Sequence, residues 1–507
     1  MKKLSSLLKK FDDNLVHFSI LAYIVITSLL PKFPLQHVEY TYIKIRYDDL
    51  VPVVIGVIFL IQWIRRKVRL NTKFLIPIFL FWAAVFLSLA YGAYIQNTVV
   101  VHNLGFLHSL RRIQYMAIFF IASSLVFSEK EFLKYLRVYM GTLFVVCLYA
   151  LGQKFLAFPS IQSMNPAYVD GRLLTLNPED RINSTFGGHF DLAAYLTFSM
   201  PIILGFFFFT KKKKYFLLFL LSLVVLLYTA ARSSFVAYVV SITAFLLYLR
   251  RFKLYALVLV LTAILLLVTG DMTRRFQQTF QIKTVFVNEQ TGQENVDQKI
   301  SVKKLPAGSL KIPLSSRKTV EADPAKIYQV ALETAIEEAR KKGRTVNMLE
   351  IQKRADQISK FIKPQRTVLC DISCATRLQL EWPRAIGAFL YNPILGTGPS
   401  SITEATDNDF LRWLGEFGVV GTGIFVFLLF SLNRYIKRIT KTVSSDIKYL
   451  YYAFSFGLVA LLINGLYVDV FEASKVAYNF WLIAGLYVGS GSYILMKGSS
   501  HEQRKNN

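Results

Sequence analysis

Apolar residues run in long blocks along this chain, and a single polar excursion interrupts them. Blocks lie at about 15–31, 50–64, 74–95, 113–128, 136–158, 190–209, 215–231, 233–249 and 252–270. Three more, at about 417–433, 449–469 and 476–496, follow the excursion. Each approaches the length a helix needs to cross a hydrocarbon core. The pattern therefore predicts an all-α polytopic membrane protein with about 12 transmembrane helices. Helices 1–9 occupy residues 1–270, a large loop fills 271–416, and helices 10–12 with a tail occupy 417–507. No internal repeat relates two halves.

The loop has two parts. Residues 271–320 read as polar and irregular, with Gly292, Pro306, Gly308 and Pro313. Residues 324–362 carry helical periodicity and alternating charge, as in Ile327, Val330, Ala331, Thr334 and Ala335 beside Glu337, Glu338, Arg340 and Lys341. Gly343 is expected to separate two helices. The plain reading is a solvated cap, and the sharper one is a lid that shapes a groove.

Charge adds orientation. The 507 residues carry a formal net charge of +27 and are 54% hydrophobic, with a mean hydropathy of +0.41. In a water-soluble chain that charge would point to nucleic acid. Here the basic residues gather in alternate loops, so no nucleic-acid partner is expected. One side has Lys2/Lys3/Lys9/Lys10, Arg65/Arg66/Lys67/Arg69/Lys73, Lys130/Lys134/Arg137, Lys211 to Lys214 and Arg250/Arg251/Lys253. It continues with Arg434/Lys437/Arg438/Lys441/Lys448 and Lys497/Arg504/Lys505. The positive-inside rule puts these in the cytoplasm, with both termini. Loops 32–49, 96–112, 159–189 and 271–416 then face outward, as do the turns at Arg232 and at Asp469 to Lys475. The start, Met1 to Lys10, reads as leading into a retained first helix. Cys147 lies in a span. Cys370 and Cys374 are four residues apart, an awkward separation for a disulfide in a helix.

Four outward segments carry polar groups beside apolar spans. One is Arg172, then Arg181 through His189 to Leu196. Another is Thr229-Ala230-Ala231-Arg232-Ser233-Ser234. The third is Arg111-Arg112, and the fourth runs from Arg377 to Glu416. Arg232 stands between two apolar runs with almost no loop. It is either a snorkelling anchor or a cation placed for an anionic headgroup. A pyrophosphate suits it, because a guanidinium forks onto phosphate oxygens. Arg181 reads similarly, whereas Arg172 and Arg112 are as readily solvated loop residues.

These segments, in this order, resemble the O-antigen ligase and O-antigen polymerase family of bacterial membrane glycosyltransferases. Its arginine before a Thr-Phe-Gly-x-x-Asn-x-Leu-Ala stretch corresponds to Arg181 through Ala193, and its Ser-Arg-Ser/Gly turn to Ala231-Arg232-Ser233. Arg377 to Trp382, Pro393 to Gly398, Asp407 to Leu411 and Glu416 to Gly421 follow the family's closing motifs. One departure stands out: Asp407 occupies the place of a family histidine thought to activate the acceptor hydroxyl. An aspartate can serve as base instead, with His189 or Glu416 as substitutes, or the site has no base and an altered activity.

The resemblance implies a metal-independent, inverting transfer with no cofactor. The donor is a glycan on a polyprenyl-pyrophosphate carrier, and the acceptor is a glycan or lipid-glycan hydroxyl at the outer face of the cytoplasmic membrane. Arg181 and Arg232 would hold the pyrophosphate, and Asp407 with Asn408 would meet the acceptor. Arg377 would bind phosphate or brace the loop. Rival readings are a lipid-linked oligosaccharide flippase, which would bury paired charges mid-span in two related halves, and a scaffold with a degenerate site.

Overall fold

The computed structural model describes residues 9–41, 44–126, 128–164, 166–289, 294–296, 310–313, 323–341, 347–402, 405–443 and 446–506. Twelve helices coincide with the twelve apolar blocks. The first nine are α1 (Leu15–Leu29), α2 (Tyr47–Ile64), α3 (Leu75–Tyr94), α4 (His102–Ser123), α5 (Glu129–Phe155), α6 (His189–Thr210), α7 (Lys213–Thr229), α8 (Arg232–Tyr248) and α9 (Phe252–Thr269). Next come α10 (Asp271–Thr279), α11 (Pro324–Lys341), α12 (Met348–Ser359), α13 (Ile372–Thr376) and α14 (Trp382–Tyr391). The remaining three apolar blocks are α15 (Asp409–Thr442), α16 (Lys448–Gly465) and α17 (Ser474–Asn506). Among the described residues, α2, α3, α5, α6, α9 and α15 are long and apolar enough to cross a membrane, and α1 and α8 are shorter apolar helices. Lys2 and Lys3 lie outside the described residues.

The chain folds as two compact units: Met1–Thr273 with Glu381–Asn507, and Arg274–Leu380. In the first, burial sorts the helices. Nearly every residue of α6 is buried, whereas α9 buries only Val258 and Thr262. Both are apolar all round. The first is thus a core helix, and the second presents apolar side chains that only a hydrocarbon solvent accommodates.

Local chemistry fixes the helix starts nearest the site. Asp48 and Asp49 sit in the first turn of α2, where the helix dipole favours carboxylates. Asp49 Oδ2 accepts from the Arg46 amide at 3.1 Å. Asn408 caps α15, its Oδ1 accepting from Leu411 N at 3.0 Å, a contribution of about 1 kcal/mol.

Helix α15 breaks once, at Gly418 (φ 59, ψ −164). The break frees the carbonyls of Gly415 and Glu416, which accept from Thr397 N (2.9 Å) and Gly398 N (3.0 Å). The motif from Asn392 to Gly398 is therefore a turn that docks on a broken helix. A Cβ at Gly418 would lie 2.3 Å from the Ile394 carbonyl oxygen, so only glycine fits there. Far along the chain, Lys475 Nζ donates to the carbonyls of Ser28 (3.1 Å) and Thr185 (2.8 Å) and stands 5.0 Å over the Phe186 ring.

Over the described residues of 271–320, the irregular reading is corrected. Four antiparallel strands, β3 (Phe280–Asn288), β4 (Glu294–Val296), β5 (Leu310–Pro313) and β6 (Ile362–Cys370), form a sheet in the order β4-β3-β6-β5. Here β1 and β2 denote a short pair in the first unit, Pro34–Gln36 and Ile45–Arg46. The fold is thus largely helical with a little sheet. The expected helices are present as α11 and α12, and Val330, Ala331, Ala335, Ile351, Ala355 and Ile358 form a small core with Phe286 and Ile362. Gly343, between them, lies outside the described residues, as do Gly292, Pro306 and Gly308. Pro313 closes β5.

Cys370 and Cys374 are joined by a disulfide with a Cα separation of 5.9 Å. The objection to pairing assumed one continuous helix. The chain instead changes from strand to helix between the two, which brings the sulfurs within reach.

Candidate active site

Where α15 begins, the short loop after α16 folds against it. Asp409, fully buried, accepts from Val470 N (2.9 Å) and Phe471 N (3.3 Å). Asn408 Nδ2 donates to the Leu466 carbonyl at 3.0 Å. The two carboxylate oxygens of Asp469 accept from Thr406 N and Asn408 N, each at 2.9 Å. Between those amides stands Asp407, held at φ 51, in the left-handed region. Asparagine and aspartate tolerate that conformation better than most residues, and strain of this kind gathers at functional sites.

Asp407 lines a cavity of about 160 Å³. Four cations share its wall: Lys32, Arg46, Arg111 and Arg412. So do the carboxylates of Asp191, Asp469 and Glu472. Most of this charge is paired. Lys32 Nζ is 3.7 Å from Asp191, Arg412 Nε is 3.4 Å from Asp469, and Arg111 Nη2 is 3.2 Å from Asp49. Glu472 lies 2.8 Å from Arg112 Nη2, which also meets Glu416 at 2.7 Å.

Arg46 is the exception. Its side chain is 6% exposed and has no carboxylate within 4.0 Å among the described residues. Both carboxylate oxygens of nearby Asp48 are also buried without a hydrogen-bond partner. Arg46 and Asp48 thus answer each other only at a distance, and buried charge without a close partner is costly. Burial pushes the Lys32 amine down from the ordinary lysine value, and Asp191 opposes that shift.

Arg111 also lines a second cleft, of about 320 Å³, between α2 and α4. Its walls are largely apolar: Ile45, Leu50, Val53, Leu104, Leu107 and Leu110. Arg111 thus lines both the polar cavity and the apolar cleft.

The residues expected from sequence divide into groups. Asp407 lines the cavity. Asn408 does not meet it, since its side chain caps α15 and holds Leu466. Glu416 is a buried tie: one oxygen meets Arg112, and the other accepts from Ser400 N at 3.3 Å. Arg181 Nη1 lies 2.6 Å from His189 Nε2. Arginine can only donate, so Nε2 accepts and its lone pair is spent. The pair precedes Asp191, but neither member lines the cavity. Arg232 opens α8 and is half-buried, away from the cavity wall, and Arg172 is exposed. Arg377, in the second unit, is buried in a π-helical turn and donates to the Ser373 carbonyl at 2.8 Å.

Lys32, Arg46, Asp191, Arg412, Asp469 and Glu472 were not singled out from the sequence. Their signal was nonetheless present. Four of them belong to segments expected to face outward that crowd charge beside apolar blocks, 32–49 and Asp469 to Lys475, and Asp191 lies within the Arg181 motif.

The fold and the site thus describe a largely helical membrane protein with a charged cavity beside an apolar cleft. Residues 217–426 match the family model described as O-Antigen ligase, so the family likeness read from the motifs is shown over that stretch. The match includes Arg232, Arg377, Asp407, Asn408 and Glu416, and it begins after Arg181 and His189. No curated protein matches the chain.

Proposed function

We propose that the protein transfers a glycan from a polyprenyl-pyrophosphate carrier to an acceptor hydroxyl, at the outer face of the bacterial cytoplasmic membrane, in surface polysaccharide synthesis. The observation that carries this reading is Arg46, a buried guanidinium with no carboxylate within 4.0 Å among the described residues, on the same cavity wall as Asp407. A pyrophosphate would satisfy Arg46 and share Lys32 and Arg111, and the prenyl chain would lie in the cleft along α2 and α4. Arg181 and Arg232, expected to hold the phosphates, are less favoured for that role than these cavity cations.

In the reaction, the Asp407 carboxylate takes the acceptor proton as the hydroxyl oxygen bonds to the anomeric carbon. The bond from that carbon to the pyrophosphate oxygen breaks, and the lipid pyrophosphate leaves with the electron pair. Attack opposite the leaving group inverts the configuration. Arg46, Arg111 and Lys32 stabilise the charge that grows on the leaving oxygen, in a site where water screens it little.

The test is glycan transfer by purified protein from a polyprenyl-pyrophosphate donor. Arg46→Ala should slow transfer about a hundredfold, and Arg232→Ala should cost far less. Normal transfer by Arg46→Ala with none by Arg232→Ala would return the pyrophosphate to Arg232. Passage of intact donor across a bilayer without transfer would favour a flippase.

A further inference from the structure

Two turns lie side by side at one end of the first unit, between α6 and α7 and between α8 and α9. Together they wall a groove of about 780 Å³. Its floor is apolar, with Phe207, Phe208 and Leu254. Its rim carries Lys211, Arg250, Arg251 and Lys253. Lys211 (φ 57) and Arg250 (φ 55) both end a helix in the left-handed region, where glycine is the usual choice. Each turn thus places a cation at the position most easily given to a residue with no side chain.

Little in the protein answers this charge. Lys211 Nζ is 3.5 Å from Asp446, and both groups are exposed. The Arg251 guanidinium stands 5.6 Å over the Phe208 ring and donates to Tyr449 OH at 3.4 Å. No carboxylate lies within 4.0 Å of Arg250, Arg251 or Lys253 among the described residues. The groove sits at the ends of α6 and α9, two helices long and apolar enough to cross a membrane. That is the depth at which headgroups meet acyl chains.

We propose that this groove binds an anionic diacyl phospholipid, its phosphate held by Arg250 and Arg251 and an acyl chain laid over Phe207, Phe208 and Leu254. Charge complementarity names the occupant: four cations, one carboxylate and an apolar floor fit a lipid that is negative at one end and greasy at the other. The inference stands apart from the glycosyl-transfer reading.

The test is lipid retention by the full-length protein, read by native mass spectrometry after exchange with phosphatidylglycerol or phosphatidylcholine. Phosphatidylglycerol should be retained preferentially. Arg250→Gln/Arg251→Gln should weaken it about thirtyfold, at roughly a fivefold loss per cation. Lys130→Gln/Lys134→Gln, which removes the same charge elsewhere, should leave it unchanged. Lys253→Gln, at the exposed rim, gives a fivefold loss to look for should the double variant fail to fold. Equal retention of the two lipids, or equal losses in both double variants, would overturn the proposal. Competition by glycerol phosphate as strong as by the lipid would also overturn it, since a free phosphate would then suffice.

Discussion

Asp469 brackets Asp407. One carboxylate holds the amides on either side of that residue, 61 and 63 positions earlier in the chain, and Arg412 steadies the carboxylate from behind. Asp469 is thereby a positioning residue for the proposed base. Asp469→Asn keeps the shape but exchanges one acceptor oxygen for a donor that faces an amide. Turnover should fall about tenfold to a hundredfold, the range for a lost hydrogen bond to a charged group. KM for the donor should hold, and a loss confined to donor KM would refute the positioning role.

The place of Asp407 can be tested by giving it the family's histidine. Asp407→Asn should lower transfer by about a hundredfold or more, the usual contribution of a general base. Asp407→His should recover part of it. The acid limb of its rate–pH profile should then fall near the ordinary imidazole value of about 6.5. An unaltered profile in the histidine variant would remove residue 407 from proton transfer.

Glu416 should matter for folding and not for proton transfer. Glu416→Ala leaves Arg112 buried with one carboxylate fewer, and breaking a buried pair in this way costs about 3–5 kcal/mol. Thermal unfolding in detergent should show a large drop in Tm. Glu416→Gln, which keeps a hydrogen bond, should retain most transfer in the folded fraction. Complete loss of transfer in well-folded Glu416→Gln would make Glu416 the base.

At the other end of the molecule, Asp12 receives two bonds of 2.7 Å from Arg65, and Lys67 also donates to it. These partners, Arg65 first, hold its carboxyl well below its ordinary value of 3.8. A depressed carboxylate stabilises the fold above its unfolded value, and that contribution is lost as pH falls through the folded value. The Tm difference between the protein and Asp12→Asn should thus stay level from pH 5 to 8 and close only in stronger acid. A difference that closes between pH 6 and 7 would contradict the assignment.

How much of this could be read in advance follows from how local each signal is. The helices were legible because each apolar block carries its own evidence. The sheet was not, although Phe280, Ile282, Thr284 and Phe286 of β3 alternate along the sequence. Its partner β6 lies about 80 residues on, and pairing across that distance leaves no mark in either segment. The site divides in the same way. Asp407 could be found because a motif surrounds it. Arg46, Asp191 and Glu472 come from three separate stretches of the chain, and only the fold brings them to one wall. Glu416 and Asn408 were found through their motifs, and in the structure the side chains of both are tied to neighbouring elements.

Lys475 has a consequence in time. It belongs to the helix α17, yet it clasps carbonyls at the end of α1 and just before α6. Glu472, three residues earlier, completes the cavity wall. A ribosome that has released everything up to residue 465 has therefore made most of the bundle, but neither the Asp469 carboxylate that holds the amides beside Asp407 nor the Lys475 clasp.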